Sequence, residues 1–148
     1  MICAALGASA PRIVGVDFGT KRVGLAVADP LRMFARPLGA FTRKGAVDEI
    51  CRLHDADGVA VIVIGWPLTL EGEEGVATER VQQYINRLRN AFPEVDIVKR
   101  DERFTSEMAK DTLRRIGAKA KHDPKDEKGR VDAAAAALIL QDYLDASG

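Results

Sequence analysis

Cysteine is scarce in this chain, with Cys3 and Cys51 the two thiols among 148 residues. So few, so far apart, support neither a disulfide framework nor a zinc site, and they suit a reducing cytoplasm. Net charge is missing as well, because 22 Lys and Arg balance 22 Asp and Glu. A global positive field is thereby excluded, and any contact with a polyanion must come from clustered basic residues or bound cations. Aromatic residues make up only 5%, which leaves few of the anchors that strong protein interfaces use. No apolar run reaches the length that spans a bilayer, so a cytoplasmic protein without membrane contact is expected. Phosphate-binding glycine loops and dinucleotide fingerprints are absent too.

What remains has the apolar and charged fractions of an ordinary globular protein. The length predicts one domain with a core of its own. Met1–Ala10 is small and apolar but lacks the basic start and apolar segment of a signal peptide. Residues 1–11 are therefore expected to be a flexible tail, and residues 12–148 the single domain.

The organising stretch is Arg12–Asp29, RIVGVDFGTKRVGLAVAD. Two β-branched runs flank a polar bend, the pattern of a β-hairpin. Asp17 ends the first run. A carboxylate there has poor strand propensity and is costly to bury unpaired. Either it caps the turn by accepting backbone N–H groups, or it addresses a metal ion or phosphate, with Gly19 letting a ligand approach the backbone. The local sequence leaves both open.

Ala35–Arg43 reads as a third strand, with Pro37 and Gly39 suited to an edge. Ala46–Asp57 has helical spacing and ends at Gly58. His54 on that helix is read as a core or boundary residue. Ala60–Gly65 is a continuous apolar run, the mark of a central, doubly buried strand. The loop beyond it carries Glu71, either in a plain connector or near a site, as loops after central parallel strands often are. Val81, Tyr84, Ile85, Leu88 and Phe92 form one helical stripe that Pro93 stops. Asp96–Arg103 is a short strand. Thr105 or Ser106 then caps a helix that ends at Gly117. Ala118–Arg130 has no apolar anchor and is expected to be a mobile charged loop. The last helix, Val131–Ala146, is alanine-rich and can lie close to a neighbour. Asp132 falls in its expected first turn, where a carboxylate ordinarily complements the dipole.

DFGTKRVGLAVADP at Asp17–Pro30, GWPLTLEGEEG at Gly65–Gly75, DERFTSEMA at Asp101–Ala109 and KGRVDAAAAALILQDYLD at Lys128–Asp145 resemble, in this order, the blocks of the YqgF family, also called RuvX. Members are described as Holliday-junction-resolvase-like proteins and as pre-16S ribosomal RNA nucleases on a ribonuclease-H-like fold. The resemblance covers about Arg12 to Asp145. It implies an α/β protein with a five-stranded mixed sheet, order 3-2-1-4-5, flanked by helices. It further implies acidic site roles for Asp17, Glu102 and Asp132. The family's usual Met-Asp pair appears here as Leu70-Glu71, and Trp66 follows Gly65.

On that reading the chain is a metal-dependent endonuclease. Two ions, Mg²⁺ or Mn²⁺, suit such an oxygen-rich set and can activate a water and stabilise the leaving oxygen. Asp17 is assigned to both ions, with Glu102 and Asp132 holding one each. The fifth strand lies two strands from the first, roughly 9.5 Å away at standard spacing. Glu102 must therefore reach inward, or Glu71 takes its place. Lys21, Arg22, Arg103, Thr105, Lys128 and Arg130 are expected to meet the nucleic acid, and His122 is a candidate proton donor. A neutral protein with few aromatics favours ribosomal RNA precursor over branched DNA, and a monomer or weak homodimer over an obligate one. Two other readings stand beside it. One is a non-catalytic RNA- or ribosome-binding module. The other is half of an actin-like nucleotide-binding pair, for which the chain is too short.

Overall fold

A computed structural model of the chain describes residues 11–19, 21–67, 75–101 and 124–147. Its strands are β1 (Arg12–Phe18), β2 (Val23–Ala28), β3 (Ala35–Phe41), β4 (Val59–Trp66) and β5 (Asp96–Asp101). The described helices are α1 (Arg43–Asp57), α2 (Val76–Ala91) and α3 (Pro124–Ser147). The strands form one sheet in the order β3-β2-β1-β4-β5. β1 pairs antiparallel with β2, and β2 with β3, whereas β4 runs parallel to both β1 and β5. The expected architecture and strand order are therefore those observed. No described helix is long and apolar enough to cross a membrane.

The two faces of the sheet differ in the size of their side chains, and that difference decides what can lie on each. Val14 and Val16 of β1, with Val23, Leu25, Ile62 and Ile64, face Ile50 and Leu53 of α1 and Val81, Tyr84, Ile85 and Leu88 of α2. The opposite face is lined by Ile13, Ala26, Ala28 and Val63 under Ala136, Ile139, Leu140 and Leu144 of α3. Strand alternation sends odd residues of β1 and even residues of β2 to this second face. Both series include a glycine. A Cβ on Gly15 would stand 2.7 Å from the Ala136 carbonyl oxygen, and one on Gly24 would stand 2.0 Å from that of Asp132. The alanine run of α3 thus lies with its backbone almost on the strands.

Element ends differ from the expected ones for local reasons. Thr42 caps α1, its hydroxyl accepting the Gly45 N–H at 2.9 Å. The helix therefore begins at Arg43 rather than Ala46, and β3 stops at Phe41. Gly58, at φ 80°, ends α1. His54 Nδ1 accepts the Val59 N–H at 2.9 Å, a structural task at the helix–strand junction. The larger correction concerns α3, which starts at Pro124, so residues 124–130 of the expected mobile loop are helical. Proline at the first position presets φ and gives up an N–H that has no helical partner there. The packed alanines downstream then propagate the turn backwards. Residues 118–123 and the helix expected between Thr105 and Gly117 lie outside the described residues.

At the far end of the sheet the β2–β3 turn is tied down by one carboxylate. Asp29 accepts the N–H groups of Leu31, Met33 and Phe34 at 3.2, 2.8 and 2.7 Å. Gln141 of α3 braces the same turn, accepting the Ala35 N–H and donating to the Met33 carbonyl, both at 2.9 Å. Leu31, Met33 and Phe34 nevertheless point to solvent. The Phe34 N–H above all, then those of Met33 and Leu31, holds the Asp29 carboxyl below its ordinary pKa. A lowered native pKa gives stability that is present above the unfolded value and is lost as pH falls through the folded one. Asp29→Ala should lower the melting temperature at neutral pH, with the gap to wild type closing below the ordinary carboxylate range. Thermal melts followed by circular dichroism from pH 7 to pH 2 measure both.

Candidate active site

Asp17 is the penultimate residue of β1, at the C-terminal end of the central strand, and is half-buried. It pairs across the hairpin with Gly24. Residues directly opposite in an antiparallel pair share a face, so Asp17 and Gly24 both belong to the face that α3 covers. The main chain of Asp132 rests on Gly24. Two of the three expected acids are thus brought to one end of the sheet, one on a strand and one on the helix above its neighbour.

The ordinary explanation for Asp132 does not survive the position of α3. The helix begins eight residues earlier, at Pro124, so Asp132 lies in its third turn. The dipole effect fades within the first turn and cannot account for a carboxylate there. Asp132 Oδ2 is instead 3.7 Å from Arg22 Nε, with both side chains about one-third exposed. That separation exceeds hydrogen-bond range and leaves a charge pair. Arg22 is placed by the hairpin bend, where the Gly19 N–H donates to its carbonyl at 2.9 Å. A Cβ on Gly19 would stand 2.6 Å from that same oxygen. Closing the hairpin is by itself sufficient reason for glycine at position 19. Lys21 is exposed at the bend.

The remaining expected residues divide into two groups. Glu102, Arg103, Thr105, Glu71 and His122 lie outside the described residues. Lys128 and Arg130 fall on α3 upstream of Asp132, with side chains that also lie outside them. Among the described residues no group of three carboxylate, histidine or cysteine side chains could hold a metal ion. Arg100 of β5 was not anticipated. Its Nε donates to Asp142 Oδ2 at 2.6 Å, tying the edge strand to α3. Gly24 was missed as well, although the alternation Gly24, Ala26, Ala28 facing an alanine-rich helix was a signal for close packing.

A mixed sheet in this order, with one helix laid across β1, β2 and β3, defines a ribonuclease-H-like α/β protein. Thermus thermophilus RuvC has this fold. Its structure with Holliday junction substrate superposes with a TM-score of 0.56 at 16% identity, covering 93% of this chain and 97% of that one. A second RuvC structure from Thermus thermophilus gives 0.54 at 16% identity, covering 92% and 95%. Residues 11–146 match the family model RuvX, described as Holliday junction resolvase. A Salinibacter ruber protein is 54% identical over 140 residues, 95% of this chain and 96% of its own. A Chlorobaculum tepidum protein is 46% identical over 134 residues, 90% and 93% respectively. Both carry the name "Putative pre-16S rRNA nuclease". The chain belongs to the RuvX family of nucleases.

Gly24→Ala tests how the site is built. Its methyl would meet a main-chain oxygen, which no rotamer change can relieve. The helix must shift at its Asp132 end, at a cost of about 2 kcal/mol for overpacking. Urea unfolding should show that loss, and activity on a phosphodiester substrate should fall at least tenfold. Full activity in the variant would show that the seating of Asp132 does not matter.

Proposed function

We propose that this chain is a divalent-metal-dependent endonuclease that cuts the precursor of 16S ribosomal RNA. The observation that carries the reading is that Asp17 lies opposite Gly24 at the end of the central strand, and the main chain of Asp132 rests on that same glycine. Both side chains are partly exposed and carry oxygen donors. Such donors suit Mg²⁺ or Mn²⁺. When bound, one or two of these ions would supply Lewis acidity and an activated water for in-line hydrolysis. Asp17 is proposed to serve both ions and Asp132 one, with Glu102, or Glu71 in its stead, completing the set.

The protein's own contribution is to place these groups on rigid elements and to bring cations to the phosphate. Arg22 stands 3.7 Å from Asp132 and Lys21 is exposed next to it on the bend, where both would meet the backbone of the bound strand. With zero net charge, affinity must be local to this end of the molecule. The names of the Salinibacter and Chlorobaculum relatives support a ribosomal RNA precursor as substrate. The family description and the RuvC complex support a second reading, resolution of four-way DNA junctions. Junction resolution needs two sites acting across a symmetric pair, whereas trimming a precursor needs one cut by a monomer or weak homodimer.

The test is cleavage by the purified chain of a 16S precursor transcript and of a four-way DNA junction, each with Mg²⁺, with Mn²⁺ and with EDTA. The transcript should be cut in either metal and spared in EDTA. Preference for the junction would overturn the choice of RNA. Asp17→Asn should reduce cleavage by three or more orders of magnitude while the protein stays folded, since the change removes charge but little volume. Glu102→Gln should match it, with Glu71→Gln mild. The reverse ordering would move the third ligand to the loop after β4.

A further inference from the structure

Arg22 is held against the carboxylate that the proposed function gives to a metal ion, and its placement leaves little freedom in that choice. Its backbone is fixed on one side by the Gly19–Arg22 hydrogen bond and on the other by the start of β2 at Val23. Two residues on, Gly24 carries the main chain of Asp132. Period-two alternation puts Arg22 on the same face as Gly24. The guanidinium is therefore within reach of the Asp132 carboxylate, 3.7 Å away in this structure.

This pair differs in quality from two other cross-element arginine pairs among the described residues. Arg12 donates to Asp57 at 3.1 Å and to the Ala28 carbonyl at 3.0 Å, a strut between strands and helix. Arg100 donates to Asp142 at 2.6 Å. Arg22 stands 3.7 Å from Asp132, outside hydrogen-bond distance and partly open to solvent. A pair of this kind contributes little to stability and costs little to separate.

From this we infer that Arg22 is an exchanging counter-charge, which neutralises Asp132 in the metal-free protein and is released to a substrate phosphate when a divalent cation takes its place. The inference rests on the metal-binding reading of Asp132. It makes binding of cation and nucleic acid mutually reinforcing, because each ligand removes the partner that competes with the other. Reciprocity of this kind follows from thermodynamic linkage. It also provides for a neutral chain to present a cation to RNA chiefly when the site is loaded.

Two binding measurements test this without any cleavage. In the first, Mn²⁺ is titrated calorimetrically into the nucleic-acid-free protein. Arg22→Gln should bind Mn²⁺ roughly threefold to fivefold more tightly than wild type, the range expected for loss of one partly exposed competing pair. Lys21→Gln removes the same charge from the adjacent residue and should change the affinity by less than half as much. In the second, a fluorescent single-stranded RNA oligonucleotide is titrated in EDTA and followed by anisotropy. Asp132→Asn should tighten RNA binding in the wild-type background, and most of that gain should vanish when Arg22 is already Gln. Unchanged or weaker Mn²⁺ binding by Arg22→Gln, or an equal Asp132→Asn gain in both backgrounds, overturns the exchange. Thermal melting within about 2 °C of wild type confirms that the variants are folded, as expected for a pair of this exposure. Wild-type protein that binds no Mn²⁺ overturns the metal reading itself, and the exchange with it.

Discussion

The molecule depends on how closely α3 can approach the sheet. Two glycines and a run of alanines bring the helix backbone to the backbones of β1 and β2, which ordinary side chains would hold apart. This contact buries α3 without large apolar residues at its Asp132 end. It also makes Asp132 a neighbour of Asp17. In most domains a helix packs on a sheet through bulky side chains, and a carboxylate on the buried face would be stranded. Here the absence of bulk lets the acid emerge at the sheet's end, partly open to solvent. Packing and site are consequences of one spacing.

Electrostatics follows from the same arrangement. A net charge of zero gives no general attraction for a polyanion, so any attraction has to come from local clusters of cations. The Arg22–Asp132 pair, too long for a hydrogen bond, is longer than the Arg12–Asp57 and Arg100–Asp142 pairs. The tighter Arg12 and Arg100 pairs lie elsewhere and join elements. The rigid turn held by Asp29 and Gln141 stands at the far end of β2, away from the acids. Its exposed Leu31, Met33 and Phe34 play no part in the proposed chemistry.

Much of this was legible in the residues. The β-branched runs around Asp17, the apolar AVIVIG strand and the stripe on α2 each follow from a single periodicity, and each appeared as expected. The strand order did not come from periodicity; it came from the resemblance of four motif blocks to a family. The start of α3 was misjudged because a charged segment without apolar residues looks like a loop, whereas Pro124 and a packed continuation suffice for helix. That error also gave Asp132 a dipole role it does not have. Gly24 was overlooked because a glycine in a strand announces close approach without saying what approaches. The ligand roles of Asp17 and Asp132 are proposals from their placement, and Glu102 and Glu71 lie outside the described residues.

The central claim is that Asp17 and Asp132 converge to hold a divalent cation. Its most direct test is a crystal of the protein grown with Mn²⁺ and measured at the manganese absorption edge. The account predicts an anomalous peak at the C-terminal end of β1, within coordination distance of carboxylate oxygens from both residues, with the Arg22 guanidinium displaced from Asp132. A peak elsewhere, or none at saturating Mn²⁺ with Arg22 still paired to Asp132, would contradict it.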